Sequence, residues 1–170
     1  GFEVMIHMPM ETLNGSRGEE EYVLETAMTS AEIERRVKKA MAELPEARGM
    51  NNHQGSRATQ DSRLITIVAT ILKQTGKYFI DSRTTAESVA ATRMRALGVL
   101  VNSRHVFLDN ESDPELIKIQ IEKLCRRAEK NGQAVGIAHD RAGTLAVLKQ
   151  EIPRIKAEGF ELVFASEIVE

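Results

Sequence analysis

Three of the four histidines in this sequence stand where predicted strands end, beside other polar side chains. His7 follows the first predicted strand, with Glu11 four residues further on. His53 follows the second, and His139 follows a late strand together with Asp140. Neutral imidazoles and a carboxylate suit a borderline divalent ion such as Zn²⁺, with one coordination position left for water. Such an ion polarises a carbonyl group and lowers the pKa of its bound water towards about 7. The pattern therefore favours hydrolytic chemistry at a metal.

Other polar side chains follow the same predicted strands. Asn52 and Arg57 lie beside His53, and Asp81 and Arg83 follow the third predicted strand. Asp81 is either a catalytic carboxylate or a group that orders the loop after its strand. Arginines at such places could surround an anionic substrate. We take Arg57 and Arg83 as candidate substrate contacts for this reason, and Asn52 as a third because it lies beside His53.

The elements that must position these side chains alternate along the chain. A capping box at Thr29 to Glu32 begins a helix that Pro45 stops, and Asp113 with Pro114 begins a long helix that ends near Gly132. Six strands and five intervening helices, without a tight hairpin, predict βαβ units and a largely parallel sheet. Chemistry in such folds collects at the carboxyl ends of the strands. The predicted strands are 2–6, 47–51, 77–80, 99–101, 134–138 and 161–164, and a further short extended run is predicted at 106–108. The predicted helices are 30–44, 61–73, 87–97, 112–132 and 144–157. A polar loop is predicted at 14–21.

The composition limits the partners and the architecture. The chain has 170 residues, 42% of them hydrophobic, which predicts a single domain over residues 1–170. Its 23 basic and 25 acidic residues leave no global field that would hold a nucleic acid. The longest apolar stretch, 64–72, is far shorter than the roughly 20 residues that cross a bilayer, so we predict no membrane span. The lone Cys125 cannot form an internal disulfide.

Five blocks of the sequence, in order, resemble the divergent polysaccharide deacetylases. The block around Asn51-Asn52-His53 and the block Asp81-Ser-Arg-Thr-Thr85 are the most distinctive. This family is a branch of the polysaccharide deacetylase superfamily. The resemblance therefore implies an α/β fold of a particular kind, namely the distorted (β/α) barrel of the chitooligosaccharide deacetylases. The blocks are GFEVMIHMPME (1–11), GMNNHQGSR (49–57), FIDSRTT (79–85), VFLDNE (106–111) and AVGIAH (134–139).

The resemblance also implies a function and a ligand set. The expected activity is metal-dependent removal of acetyl groups from an acetylated sugar or polysaccharide, most simply with zinc. His7, His53 and Glu11 are the implied metal ligands, Glu11 standing where the superfamily has a second histidine. His139 matches the position of the general acid, and we group Asp81 with it as a candidate catalytic residue.

The family also implies features outside these residues. An earlier strand carries an Asp-Asp segment that supplies a metal ligand and the base. No Asp-Asp pair occurs in this sequence, so we expect the first one or two βα units of the barrel to be missing from it. Family context further suggests a bacterial protein that is exported or associated with the envelope.

Two other functions stay open. One is a non-catalytic, metal-stabilised binding module in cell-envelope assembly, which the glutamate at position 11 and the absence of Trp favour. The other is a phosphoester enzyme that uses the arginines near the strand ends. Glycine-rich phosphate loops, which would support it, are absent from the sequence.

Overall fold

The computed structural model describes residues 1–15 and 21–170. These residues form two compact units, the first made of residues 1–103 and 164–170 and the second of residues 104–163. The predicted single domain over residues 1–170 stays a prediction. The predicted loop at 14–21 lies largely outside the described residues.

The first unit contains a four-stranded parallel sheet whose strand order follows the sequence. In the register of the first two strands His7 is paired with Asn51 and Pro9 with His53. The parallel sheet that the alternation predicted is therefore confirmed. Its strands are β1 (Met5–Met10), β2 (Gly49–Gln54), β3 (Tyr78–Asp81) and β4 (Val101–Ser103).

This unit has three α-helices, and the first two begin at capped residues, as the sequence predicts. The three helices are α1 (Ser30–Glu43), α2 (Ser62–Thr75) and α3 (Ala90–Ala96). The Thr29 side chain accepts a hydrogen bond from Glu32 N, and Asp61 accepts from the second and third residues of α2. Helix α2 ends at Gly76, whose φ of 65° is the left-handed conformation that glycine adopts at low cost.

Alternation along β1 decides which side chains are available for chemistry. Ile6, Met8 and Met10 are buried in one hydrophobic core with side chains of α1 and α2. His7 lies between them and is exposed, because successive strand residues point to opposite faces of a sheet. The predicted end of the first strand at residue 6 is wrong, since β1 continues to Met10. His7 is therefore on the strand itself, on the face opposite the helices.

The second unit contains a two-stranded parallel sheet and two helices. The strands are β5 (Val106–Phe107) and β6 (Gly136–Ile137), and the helices are α4 (Pro114–Asn131) and α5 (Ala142–Ala157). Asp113 caps α4 with Pro114 in its first turn. Ile117, Ile121 and Cys125 of α4 belong to the core of this unit, as expected for the cysteine.

The last predicted strand is wrong. Residues 161–164 form no strand in the described structure, and Leu162, Val163 and Phe164 are exposed. A short apolar run resembles a strand in sequence, but it becomes one only when a neighbouring strand accepts its backbone hydrogen bonds. Among residues 1–15 and 21–170, no helix is long and apolar enough to span a membrane.

Gly49 is expected to tolerate no side chain, because it faces the ring of Tyr78 across β2 and β3. A Cβ atom there would lie 2.6 Å from Cζ of Tyr78, whose ring is buried and whose hydroxyl donates to Glu3 at 3.0 Å. We expect Gly49→Ala to lower the free energy of unfolding by about 1–3 kcal/mol, measured by urea denaturation. Gly143→Ala is the control, since no atom lies within 4 Å of its added Cβ. Equal stability of the two variants would contradict this packing.

Candidate metal and acid sites

His7 and His53 lie side by side on the exposed face of β1 and β2. His7 Nε2 is 2.9 Å from His53 Nδ1, and the ring centroids are 4.7 Å apart in an edge-to-face arrangement. The parallel register produces this contact, because it pairs His7 with Asn51 and thereby brings His53, two residues on, to the same face. The structure therefore brings together two of the three predicted metal ligands.

A row of hydrogen bonds supports the other side of the His7 ring. His7 Nδ1 is 2.9 Å from Asn51 Oδ1, and Asn51 Nδ2 donates to Ser82 Oγ at 3.1 Å. The Ser82 hydroxyl donates to the carbonyl oxygen of Asn52 at 2.8 Å. Ser82 is 6% exposed and Asn52 is 1% exposed, so the row ends inside the protein.

The two imidazoles fit part of a zinc site. Zn–N bonds of about 2.0–2.1 Å place two nitrogen ligands of one tetrahedral ion about 3.3 Å apart, close to the observed 2.9 Å. Catalytic zinc sites use three protein ligands. Within the described ranges 1–15 and 21–170, no three His, Cys, Asp or Glu side chains come together as a metal site. The pair therefore supplies two ligands, and an ion would need a third from elsewhere.

Glu11, the third predicted ligand, is engaged by the neighbouring loops. Its Oε2 accepts from the backbone N and the hydroxyl of Thr26, both at 2.7 Å, and its Oε1 accepts from Arg57 at 3.2 Å. The side chain is 16% exposed. Burial by itself raises the pKa of this carboxyl, but the hydrogen bonds from Thr26 and the Arg57 guanidinium outweigh it and hold the pKa below its usual value. In this structure the Glu11 side chain thus connects its own segment after β1 with the segments that contain Thr26 and Arg57.

The lowered pKa of Glu11 predicts a loss of stability in acid. The ionised carboxylate stabilises the fold above the unfolded pKa of about 4.3, and this contribution is lost as the pH falls through the lowered folded-state pKa. We expect Glu11→Gln to be less stable than wild type at neutral pH and to show a shallower decline below about pH 5. Urea unfolding at a series of pH values measures this, with Thr26→Ser as a control that keeps the hydroxyl. A decline as steep as that of wild type would exclude this role.

The remaining candidates of the first unit lie in β2 and β3 and in the loops that follow these strands. Asp81 is 1% exposed and accepts from Arg83 N and from the Ser88 hydroxyl, both at 2.8 Å. These bonds order the loop in which Arg83 has a φ of 46°. Asn52 accepts from Ser82 N at 2.8 Å and donates to Gln54 O at 2.7 Å. Both ends of the Asn52 amide are thus used within the protein, whereas the side chain of Arg57 is about half exposed. The catalytic role of Asp81 and the substrate contacts of Asn52, Arg57 and Arg83 stay predictions.

His139 belongs to the second unit, where a buried carboxylate orients it. Its Nδ1 is 3.1 Å from Asp109 Oδ1, and its backbone N donates to the same carboxylate at 3.1 Å. The Thr144 hydroxyl donates to Asp109 Oδ2 at 2.8 Å. Burial raises the pKa of Asp109, but these hydrogen bonds outweigh it and hold the pKa below its usual value. A charged carboxylate at Nδ1 requires a proton there, so the neutral ring of His139, which is half exposed, has its lone pair on Nε2.

The sequence analysis did not select Asp109 as a site residue, and Asn51 and Ser82 appeared there only within the blocks that resemble the family. Asp109 follows Leu108 at the end of an extended run, so the rule that polar residues follow strands could have found it. Asn51 and Ser82 are 31 positions apart and stand at the ends of neighbouring predicted strands, so the rule places both at one edge of the sheet, but the hydrogen bond between them follows only from the pairing of β2 with β3.

Two features define the class of protein to which this chain belongs. The described residues form an α/β fold with a parallel sheet and five α-helices, and imidazoles meet on one face of that sheet. The sequence profile described as divergent polysaccharide deacetylase matches residues 1–169. The chain therefore belongs to the divergent polysaccharide deacetylase family, and its fold is consistent with the distorted barrel that the resemblance implied.

Related proteins support this assignment. An uncharacterized protein of Haemophilus influenzae is 37% identical over 149 residues, which cover 88% of this chain and 53% of the relative. The uncharacterized protein YibQ of Escherichia coli K12 is 34% identical over 169 residues, covering 99% of this chain and 52% of the relative. The chain thus spans about half the length of these curated relatives.

A solved structure has the same fold. The crystal structure of an uncharacterized protein from Agrobacterium tumefaciens C58 superposes with a TM-score of 0.93 at 23% identity. The match covers 98% of this chain and 68% of the other. At this identity the likeness shows the fold alone.

Proposed function

We propose that this protein is a metal-dependent hydrolase that removes acetyl groups from an acetylated sugar or polysaccharide. Membership of the family suggests a function connected with carbohydrates. The observation that carries the finer proposal is the contact between His7 and His53, whose ring nitrogens are 2.9 Å apart on an exposed sheet face. Two imidazoles at this distance are suited to share one divalent ion.

His7 and His53 are the proposed metal ligands, with Zn²⁺ as the most suitable ion. When bound, such an ion polarises the acetyl carbonyl and lowers the pKa of a coordinated water. His7 would bind through Nε2, because its Nδ1 faces Asn51. We expect a third ligand from outside the described residues, and the aspartate that the family resemblance implies is the natural candidate. Glu11 serves in this proposal to hold the loops beside the pair.

His139 is the proposed general acid. Its Nε2 would donate a proton to the leaving amine or alcohol, while the Asp109 carboxylate at Nδ1 stabilises the positive charge of the protonated ring. The bonds from Thr144 and from the backbone of His139 fix the carboxylate, so that the ring is oriented before a substrate arrives. Arg57 and Arg83, both exposed in the loops after β2 and β3, are the proposed contacts to polar groups of the sugar.

A second candidate function is a non-catalytic binding module that keeps the metal pair without turnover. The engagement of Glu11 favours it, because the carboxylate at the place of a family ligand is bonded to Thr26 and Arg57. This function predicts binding of both metal and glycan without release of acetate.

Acetate release separates the two functions. The full-length protein is incubated with N-acetylated and O-acetylated oligosaccharides, with zinc and then with a chelator, and acetate is measured. The hydrolase predicts release that the chelator stops, that added zinc restores and that His7→Ala abolishes. Metal and glycan binding without release would support the binding module. Absence of both metal binding and release would contradict both candidates.

A further inference from the structure

The hydrogen bonds that reach His7 form a row with a fixed direction. The row runs from the carbonyl oxygen of Asn52 through Ser82 and Asn51 to His7 and ends at His53. Its first member is a backbone carbonyl, which can only accept a hydrogen bond. This fact sets the role of every group that follows.

The direction can be followed one group at a time. The Ser82 hydroxyl gives its only proton to Asn52 O, so it must accept from Asn51. Asn51 therefore presents its NH₂ group to Ser82 and its carbonyl oxygen to His7. An amide oxygen cannot donate, so Nδ1 of His7 must carry a proton. The network thus decides both the orientation of the Asn51 amide and the tautomer of the imidazole, which heavy-atom positions alone leave open.

We propose that Asn51, held by Ser82, is a positioning residue that locks neutral His7 in the Nδ1–H tautomer and directs the Nε2 lone pair away from Asn51. The relevance of this lock to a metal rests on the proposed function, but the lock itself is a property of the metal-free protein. A metal-binding histidine needs this arrangement, with one nitrogen bonded to an acceptor and the other left to the ion.

The two histidines are therefore unequal. In the neutral pair His7 Nε2 is an acceptor, so His53 donates to it from Nδ1. If an ion replaced this hydrogen bond, His7 would keep its tautomer, while the proton on Nδ1 of His53 would move to Nε2. His7 is the preorganised ligand of the pair, and His53 is the one that must change.

Nitrogen NMR of the metal-free protein tests the lock. Long-range ¹H–¹⁵N correlation spectra at about pH 8.5, well above the ordinary histidine pKa of about 6.5, identify which ring nitrogen carries the proton. We expect His7 to be Nδ1–H in wild type. In Asn51→Leu the acceptor is lost, and we expect His7 to shift towards Nε2–H, the form that free histidine prefers. Asn51→Asp keeps an oxygen at Nδ1 and is expected to retain the wild-type tautomer.

Thr84→Val is the matched control. It removes a hydroxyl that donates to Gln54 O at 2.8 Å in the same group of loops but leaves the row intact, so His7 should stay Nδ1–H. An Nε2–H form of His7 in wild type overturns the proposal, as does an unchanged tautomer in folded Asn51→Leu. The wild-type spectrum decides the matter by itself if Asn51→Leu fails to fold.

Zinc affinity gives a second readout that separates this proposal from the proposed function. We expect Asn51→Leu to weaken zinc binding about 10–100-fold and Asn51→Asp to restore most of it, as for other partners of metal-bound histidines. If wild type binds no zinc but His7 is Nδ1–H, the proposed function fails and the lock stands. If zinc binds normally to all variants and His7 is Nε2–H, the lock fails and the metal site stands.

Discussion

Zinc binding is expected to become at least about 100-fold weaker when His7 is replaced by alanine. His7 is the better prepared of the two ligands, because Asn51 supports its ring from the side opposite His53. Loss of a partner that merely orients a ligand costs about 10–100-fold in affinity, so loss of the ligand itself should cost more. Competition with a chromophoric chelator measures the dissociation constant.

His105→Ala is the matched control for this measurement. His105 accepts a hydrogen bond from the backbone of Val135 at 3.0 Å in the second unit, which is a structural role. The control variant should bind zinc as wild type does, and His53→Ala should resemble His7→Ala. Equal zinc affinity in His7→Ala and wild type would show that His7 is not a metal ligand.

Asp109→Asn is expected to destabilise the second unit and to impair His139, the proposed general acid. The buried carboxylate accepts from the Thr144 hydroxyl, from the backbone N of His139 and from its ring. An asparagine presents an NH₂ group to one of these donors and leaves it unsatisfied. We expect a loss of about 2 kcal/mol in the free energy of unfolding. Acetate release should fall about 100-fold or more, because His139 loses the charge that orients it.

Asp140→Asn separates a specific effect from a general loss of charge. Asp140 is the exposed neighbour of His139, and its replacement should change the unfolding free energy by less than about 0.5 kcal/mol. Urea denaturation and the acetate assay on both variants provide the comparison. If Asp109→Asn were as stable and as active as Asp140→Asn, the role of Asp109 would be refuted.

The helices were the most predictable part of the fold, because capping residues close in sequence determine where a helix begins. Thr29, Asp61 and Asp113 cap α1, α2 and α4, and each bonds to a backbone N within three residues. Strand ends were less predictable, since a strand ends where its neighbour stops pairing. The alternation of the buried residues Ile6, Met8 and Met10 with more exposed ones indicates that β1 continues to Met10.

The same difference applies to the site residues. The meeting of His7 and His53 followed from the expectation that parallel strands bring their polar residues together. The engagement of Glu11 could not be foreseen, because its spacing of four from His7 says nothing about Thr26 on another loop. Asp109 could be recognised as a polar residue after an extended run, but its contact with His139, 30 residues away, depends on the pairing of β5 with β6.

Anomalous X-ray diffraction from zinc-soaked crystals, recorded on both sides of the zinc absorption edge, shows whether His7 and His53 bind one zinc ion. We expect a peak about 2.0–2.1 Å from both His7 Nε2 and His53 Nδ1, in place of the hydrogen bond between the two rings. A peak bound elsewhere, with the hydrogen bond between the two rings intact, would contradict it.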